Sequence, residues 1–327
     1  MSDTAVRCEV CRSLIDEEDL FCPNCGTEAP LRDGQTARTQ PGTQLSTNNF
    51  ECTGCGASMS YDAGARALRC PFCGATQMKA KPNHRIVAPK RVVPFRLNRD
   101  QAMQVMRTTL MRGFFRPSDL TEKAVVVNMV PVYAAYWRFR AKTHTYWTAD
   151  TSDVPPSARG DWRPLFGEHY GEHETVLVGA GQALSPRETS AICPFDLSDA
   201  VAPDEVDMEN ITVEQVTLPR KFARPLARSV IEAEERRQIE MLYVPGRARN
   251  VHVNMLISGM EGEPILLPVW ILAYRYRDRL YRVLINGQTG RINGEAPFSY
   301  LKLAAVTAAA VVGAILVFLL FAAMTGL

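Results

Sequence analysis

Two cysteine thiolates two residues apart can grip one metal ion from a single tight turn, and this chain repeats that arrangement four times. The pairs are Cys8/Cys11, Cys22/Cys25, Cys52/Cys55 and Cys70/Cys73, which use eight of the nine cysteines in 327 residues. Ten residues separate the first two pairs and 14 the last two, a hairpin's length in each case. Each block can therefore close a tetrahedral four-thiolate site, whose usual occupant is Zn²⁺. Gly26, Gly56 and Gly74 follow the second Cys of three pairs, where the backbone must turn with φ > 0 to aim its N–H groups at sulfur. Arg12 holds that place in the first pair. Disulfides would need an oxidising compartment, and the opening MSDTAVRCEV has no apolar stretch to act as a secretion signal. The expectation is two structural zinc ions, one held by Cys8, Cys11, Cys22 and Cys25, the other by Cys52, Cys55, Cys70 and Cys73.

Other residue groups with chemical potential read more simply as structure. Glu168-His-Tyr-Gly-Glu-His173-Glu174 sets two His four apart, but a protease helix of the HExxH type needs Glu directly after the first His, and Tyr170 stands there. It reads as a solvated polar loop or strand. Val176-Leu-Val-Gly179-Ala-Gly181 starts like a dinucleotide turn, yet Leu184 takes the third glycine position and Pro186 interrupts the receiving helix. That segment reads as a hairpin or bulge. Cys193 has no nominated base and reads as a small buried hydrophobe. With no set of nucleophile, base and orienting group, the expectation is a protein that is not an enzyme.

The elements that must hold the metal sites follow from periodicity. A helix is signalled from Asn98, an N-cap with Gln101 three residues on and apolar residues at Ala102, Val105, Met106 and Leu110, stopping by Gly113. A β-run covers residues 124–147, a second helix Pro225–Leu242 with Glu232 and Arg236 spaced to pair, and strands Val251–Ile257, Ile265–Tyr276 and Leu280–Ile285. Asn286-Gly287-Gln-Thr-Gly290 signals a hairpin returning through Arg291–Asn293. Pro131–Arg140 (PVYAAYWRFR) aligns without gaps on Pro268–Arg277 (PVWILAYRYR), each after a helix, which implies duplication into two α+β halves. An alternation of aromatic and Arg residues puts one strand face in a core and the other in water.

From Leu303 to Leu327 no residue is charged, enough to span the ~30 Å hydrocarbon core as a helix. Lys302 just before it places the bulk of the chain in the cytoplasm by the positive-inside bias. Ala305/Ala309 and Ala310/Ala314 have the small-residue spacing that lets two such helices pack into a homo-oligomer. The formal net charge is +2, but residues 1–30 hold two Arg against seven Asp and Glu. Nucleic-acid affinity rests largely on Lys and Arg neutralising phosphates, so the acidic first block argues against that partner.

Leu266-Leu-Pro-Val-Trp270, Tyr274-Arg-Tyr276, Asn286-Gly-Gln-Thr-Gly290 and Gly294-Glu-Ala-Pro297, followed at once by an apolar segment, resemble a group of bacterial zinc-ribbon, single-pass membrane proteins. The group is similar to the zinc-ribbon membrane proteins of phage-shock-type envelope-stress operons. The resemblance covers most of residues 50–320. It implies partners that include a phage-shock-A-like coat protein, an SPFH/virion-core-like protein and the bilayer. Some relatives carry the label of a primosomal replication-restart helicase, but this chain has no GxxxxGK[ST] phosphate loop. The resulting expectation is an α+β protein with this order: zinc ribbon 1 (1–29), a flexible linker (30–49), zinc ribbon 2 (50–79), a basic linker (80–93), two halves of a duplicated antiparallel sheet-plus-helix body (94–190 and 191–300), and a transmembrane helix (303–325). Its function is expected to be that of a cell-membrane adaptor that recruits cytoplasmic proteins. The alternative is a nucleic-acid-binding zinc-ribbon protein of replication or transcription.

Overall fold

The computed structural model of the chain describes residues 6–15, 22, 27, 43–46, 49–60, 69–80, 84–110, 113–208 and 211–325. Short strands come first: β1 (Val6–Arg7), β2 (Leu14–Ile15), β3 (Thr43–Ser46), β4 (Asn49–Cys52), β5 (Ser58–Ser60), β6 (Met78–Ala80), β7 (His84–Val87) and β8 (Arg91–Val92). Then follow α1 (Arg99–Val105), which runs on as a π-helical turn over Met106–Leu110, and α2 (Leu120–Lys123). The larger elements are β9 (Val125–Thr151), β10 (Arg163–Gly179), α3 (Pro186–Ala191), β11 (Thr212–Glu214), α4 (Arg220–Tyr243), β12 (Ala248–Tyr276), β13 (Arg279–Asn286), β14 (Ile292–Gly294) and α5 (Tyr300–Thr325).

The frame is one antiparallel ladder. β9 is a single 27-residue strand and β12 a single 29-residue strand, each rich in the β-branched and aromatic residues that fit a pleated surface. The break expected between Ile257 and Ile265 is absent, and β9 runs past the expected end of the β-run at Trp147. Bulges at Arg249/His252 and Ser258/Glu261 absorb the irregular residues there, with Asn250 (φ 50°) and Gly259 (φ 62°) in the left-handed region. The two repeated segments lie side by side on these strands, and Val132 pairs directly with Val269, its counterpart in the alignment. Tyr133 and Trp270 are likewise counterparts, and Phe95 sits between them with ring centroids 5.2 and 5.3 Å away.

The two halves are not separate sheets. The strands join in one ten-stranded sheet ordered β14-β13-β12-β9-β11-β5-β4-β6, with β10 also on β9 and β8 also on β12. The helices cross over: Ala102 and Met106 of the first pack with Leu272, Tyr274, Tyr281 and Val283, whereas Ala223, Ala227 and Ile231 of α4 pack with Trp137, Phe139 and Val176. Both helices cover the same sheet face. The reason is the register, which sets the strands that follow α1 beside α4 and the strands that follow α4 beside the first helix.

Local signals held where backbone geometry decides. Asn98 and Gln101 form a capping box, each side chain accepting the other's backbone N–H at 2.9 Å. α4 starts at Arg220, five residues before the expected Pro225, because Ala223 is fully buried in the sheet-facing cluster. That packing carries the helix past the hydrogen bond that Pro225 cannot make. The Asn286–Gly290 turn forms as expected, with Gly290 at φ 75°. Gly287 serves differently: a side chain there would run into Phe95. The turn is also a hub. Buried Asn286 donates to the carbonyls of Ile192 and Pro194, and Gln288 bonds both backbone groups of Asp196.

The stretches read as linkers each supply a strand, β3 and β7, which pair with each other. Residues 30–42 and 81–83 lie outside the described residues. The second cysteine block is a continuation of the sheet. β5 pairs with β11, and β11 pairs in parallel with β9 at Thr212/Val132 and Val213/Tyr133. Glu214 anchors this junction, accepting the N–H groups of Ala135 (3.1 Å) and Ala183 (3.3 Å) while fully buried. Burial pushes its carboxyl up to about 7, although both N–H donors pull the other way.

A folded pKa above the unfolded one means that the stabilisation is complete below the unfolded carboxyl's pKa and is lost as pH rises through about 7. At ~1.4 kcal/mol per unit, the loss is at most about 3 kcal/mol. The urea midpoint of the full chain in non-ionic detergent should therefore fall between pH 5 and 8. Glu214→Gln should flatten the profile itself, so that the difference between variant and wild type changes over that range, and parallel profiles would reject the assignment.

Candidate metal centre

The described turns of the cysteine blocks are built alike. In the second block the N–H of Gly56 donates to Cys52 O and that of Gly74 to Cys70 O, both at 2.8 Å, while Cys52 N and Cys70 N donate to Ala57 O and Ala75 O. The first block repeats this, with Arg12 N on Cys8 O, Cys8 N on Ser13 O and Cys22 N on Thr27 O. The residue after the second Cys is left-handed in each described case: φ is 75° at Gly56, 79° at Gly74 and 60° at Arg12. Arg12 thus accepts a conformation that costs a non-glycine residue roughly 1–2 kcal/mol.

These turns bring the sulfurs together. Cys52, Cys55, Cys70 and Cys73 place all four Sγ atoms within 4.8 Å of one another, and so do Cys8, Cys11 and Cys22. Cys25 lies outside the described residues. Sγ–Sγ separations are 3.4 Å for Cys11/Cys22, 3.5 Å for Cys52/Cys73 and 3.6 Å for Cys55/Cys70. A disulfide would need about 2.05 Å. A tetrahedron with metal–sulfur bonds of about 2.3 Å has edges of about 3.8 Å, so the described thiols fit a metal ion. Burial opposes ionisation of Cys52, but N–H groups of Cys55 and Gly54 and the neighbouring thiols outweigh it and bring its pKa down to about 7. Desolvation, together with the neighbouring Cys73 and Cys52 thiols, pushes Cys55 up to about 11. Such a set of unequal thiols is what a cation would level.

The second cluster is welded to the body. Cys52, Cys70, Ala57, Met59 and Phe72 share one apolar cluster with Val132, Tyr136, Leu267 and Val269 on the sheet face opposite the helices. Arg282 of β13 donates to Phe72 O (3.0 Å) and pairs with Glu188 of α3. Burial works against the Glu188 carboxylate, but the Ser185 N–H and hydroxyl and Arg282 hold it below the usual range. Gln215 donates to Asn49 Oδ1 at 2.6 Å and to Ser60 Oγ at 3.1 Å, across the same junction.

The remaining candidates are placed as follows. Glu168–Glu174 is strand β10, but it is not solvated throughout. His169 and His173 are both buried under α4. His173 Nε2 lies 2.7 Å from Glu235, which also accepts from Thr143 (2.7 Å) and Thr145 (2.6 Å), and His169 meets Tyr243 and Gln238. Glu235 was legible in hindsight: it interrupts the apolar stripe Ala223, Ala227, Ile231, Ile239 at the same four-residue step. Desolvation opposes its ionisation, yet the Thr and His donors bring its pKa below the usual value. The Val176–Gly181 segment is the end of β10 and a turn, and the helix after it, α3, is six residues long with its N-terminus capped by Ser185 and Glu188. Cys193 donates to Thr189 O, and burial pushes its thiol up to about 11.

No protein-family profile matches the chain, and no solved structure does. Among curated proteins, YdjG of Bacillus subtilis (strain 168), described as uncharacterized, is 22% identical over 316 residues, 79% of this chain and 92% of that protein. PGR5-like protein 1B, chloroplastic, of Arabidopsis thaliana is 46% identical over 53 residues, 16% of each chain.

Metal analysis of the purified full chain should return two ions per chain. Cys22→Ser and Cys52→Ser should each leave one. Only Cys52→Ser should also lower the melting temperature of the body, by several degrees or more, because its sulfur lies in the shared core. Equal melting temperatures for the two variants would show that the second cluster does not brace the sheet. Glu235→Ala strands two hydroxyls and a histidine in the interior and should cost roughly 3 kcal/mol, read as a fall of about 6–12 °C in thermal unfolding. A fall under about 2 °C would contradict the clamp.

Proposed function

We propose that this chain is a membrane-anchored, zinc-binding adaptor of the kind its C-terminal block resembles. In this reading both cysteine blocks are zinc ribbons, and Zn²⁺ is favoured because the ligands are thiolates with no carboxylate among them. The body is a duplicated unit, a reading supported by the direct pairing of Val132 with Val269. α5 is 26 residues long, about 39 Å at 1.5 Å per residue, and none of Tyr300–Val317 is buried against the body. It is one helix long and apolar enough to cross a membrane. As a spanning helix it leaves the rest of the chain in the cytoplasm.

The observation that carries the proposal is continuity. The second cluster is fixed to the sheet by β11 and Arg282, and the same sheet leads through β13 and β14 into α5. A protein attracted by the acidic first block and seated against the second cluster is thus held at a set place relative to the bilayer, which is what a recruiter needs. The adaptor works by binding alone. Its partners are cytoplasmic proteins of the phage-shock-A-like and SPFH/virion-core-like kinds, in response to envelope stress.

The test is flotation of the full chain in liposomes with a purified phage-shock-A-like protein, which should rise with the vesicles. Neutralising Asp16, Glu17, Glu18 and Asp19 together should weaken this by about tenfold without releasing metal, because none is a ligand and charge attraction speeds encounter. Failure to co-float, together with salt-sensitive micromolar binding of labelled DNA, would sink the adaptor reading and promote the nucleic-acid one.

A further inference from the structure

The loop Gly113–Pro117 lies some 180 residues before α5 in the chain but is bonded into that helix's entry. Ser299 N–H donates to Phe115 O at 2.8 Å, and Arg116 Nη1 donates to Ala296 O at 3.0 Å. Lys302 Nζ donates to Arg116 O at 2.8 Å. The rings interlock as well. Phe115 stacks on Phe298 with centroids 5.3 Å apart, Phe114 meets Phe115 edge-on at 5.1 Å, and Tyr300 meets Phe298 at 5.7 Å.

This aromatic cluster is rigidly held and yet uncovered. Phe114 is 71% exposed, Tyr300 78% and Leu301 83%. A contiguous bare apolar patch on a folded protein marks a surface that meets something else. Two cations belong to it, Arg116 and Lys302, which spend these hydrogen bonds on backbone carbonyls rather than on carboxylates. Aromatic rings with a polar edge, flanked by long basic side chains, are the chemistry of the head-group region, where the ring is half apolar and half wet. The patch is continuous with the first turn of α5, so its level along that helix is fixed by covalent adjacency.

We propose that the loop Gly113–Pro117 is a second membrane contact, with Phe114 seated at the head-group–acyl boundary of the leaflet that α5 enters. Phe115, Phe298 and Tyr300 complete a collar around the helix base. The occupant of this surface is the lipid bilayer. The collar adds a second point of attachment beside α5, and so fixes the attitude of the sheet, and of the cysteine cluster joined to it, over the membrane. The inference rests on α5 spanning the bilayer.

The test uses the full chain carrying Phe114→Trp, reconstituted in phosphatidylcholine–phosphatidylglycerol liposomes, with the wild type's four tryptophans as background. Lipids brominated near the head of the acyl chain should cut the extra emission about twofold or more, and lipids brominated near its middle should cut it less, as expected of a ring at the interface. Tyr300→Trp provides a second reporter and should show the same depth order. Extra emission untouched by either lipid, in protein that resists carbonate extraction, overturns the collar and leaves the anchor standing. An unquenched but blue-shifted emission also overturns it, because the loop then packs against a second copy. Release of the protein by carbonate overturns the spanning reading itself, and the collar with it.

Discussion

The pairing of β9 with β12 is the constraint on which the rest of the structure depends. Each strand alone is an apolar ribbon with every second backbone group unsatisfied on both edges, and neither can be buried until the other lies against it. Their register, centred on Val132 opposite Val269, decides which face each side chain occupies. A slip of one residue would turn Tyr133, Trp137 and Phe139 away from α4 and expose the cluster that receives the cysteine block. Phe95, wedged between Tyr133 and Trp270 at nearly equal distances, reads that register directly.

The two faces of the ladder then take different roles. One carries the crossed helices, and there the polar groups are clamps: Glu235 receives His173, Thr143 and Thr145 in the buried interior, which ties α4 to β9 and β10. A buried carboxylate is costly unless its acceptor sites are filled, so the clamp rewards one docking of the helix and penalises near misses. The other face carries the second cysteine cluster and the segment from Leu184 to Phe195. Two acidic groups manage the joins in opposite ways. Glu188 is drawn down by Arg282 and Ser185, whereas Glu214 has only backbone donors and is pushed up by burial.

The second cysteine cluster is part of the sheet's core as much as it is a candidate metal site. Cys52 and Cys70 face inward with the apolar residues, and Cys73 faces solvent. Loss of an ion there would release two buried thiols into a packed interface and disturb strands that lead on to α5. The first block, whose described strands β1 and β2 pair only with each other, has no such connection among the described residues.

What the sequence determined by itself is local. The thiol pairs, the left-handed glycines after Cys55 and Cys73, the Asn98 capping box and the uncharged C-terminal helix are all set within a few residues by backbone geometry or by unbroken apolar composition. The repeat was legible too, as matching residues. Its consequence, counterparts paired across one ladder with helices exchanged, was not. The same holds for the three residues of β11 that join the cysteine block to the body, for His169 and His173 under α4, and for Phe115 stacked on Phe298. Each of these joins segments tens to hundreds of residues apart, and periodicity says which face of a strand is apolar but not what will cover it. That choice belongs to the tertiary structure, because only the assembled register decides which distant groups can reach one another.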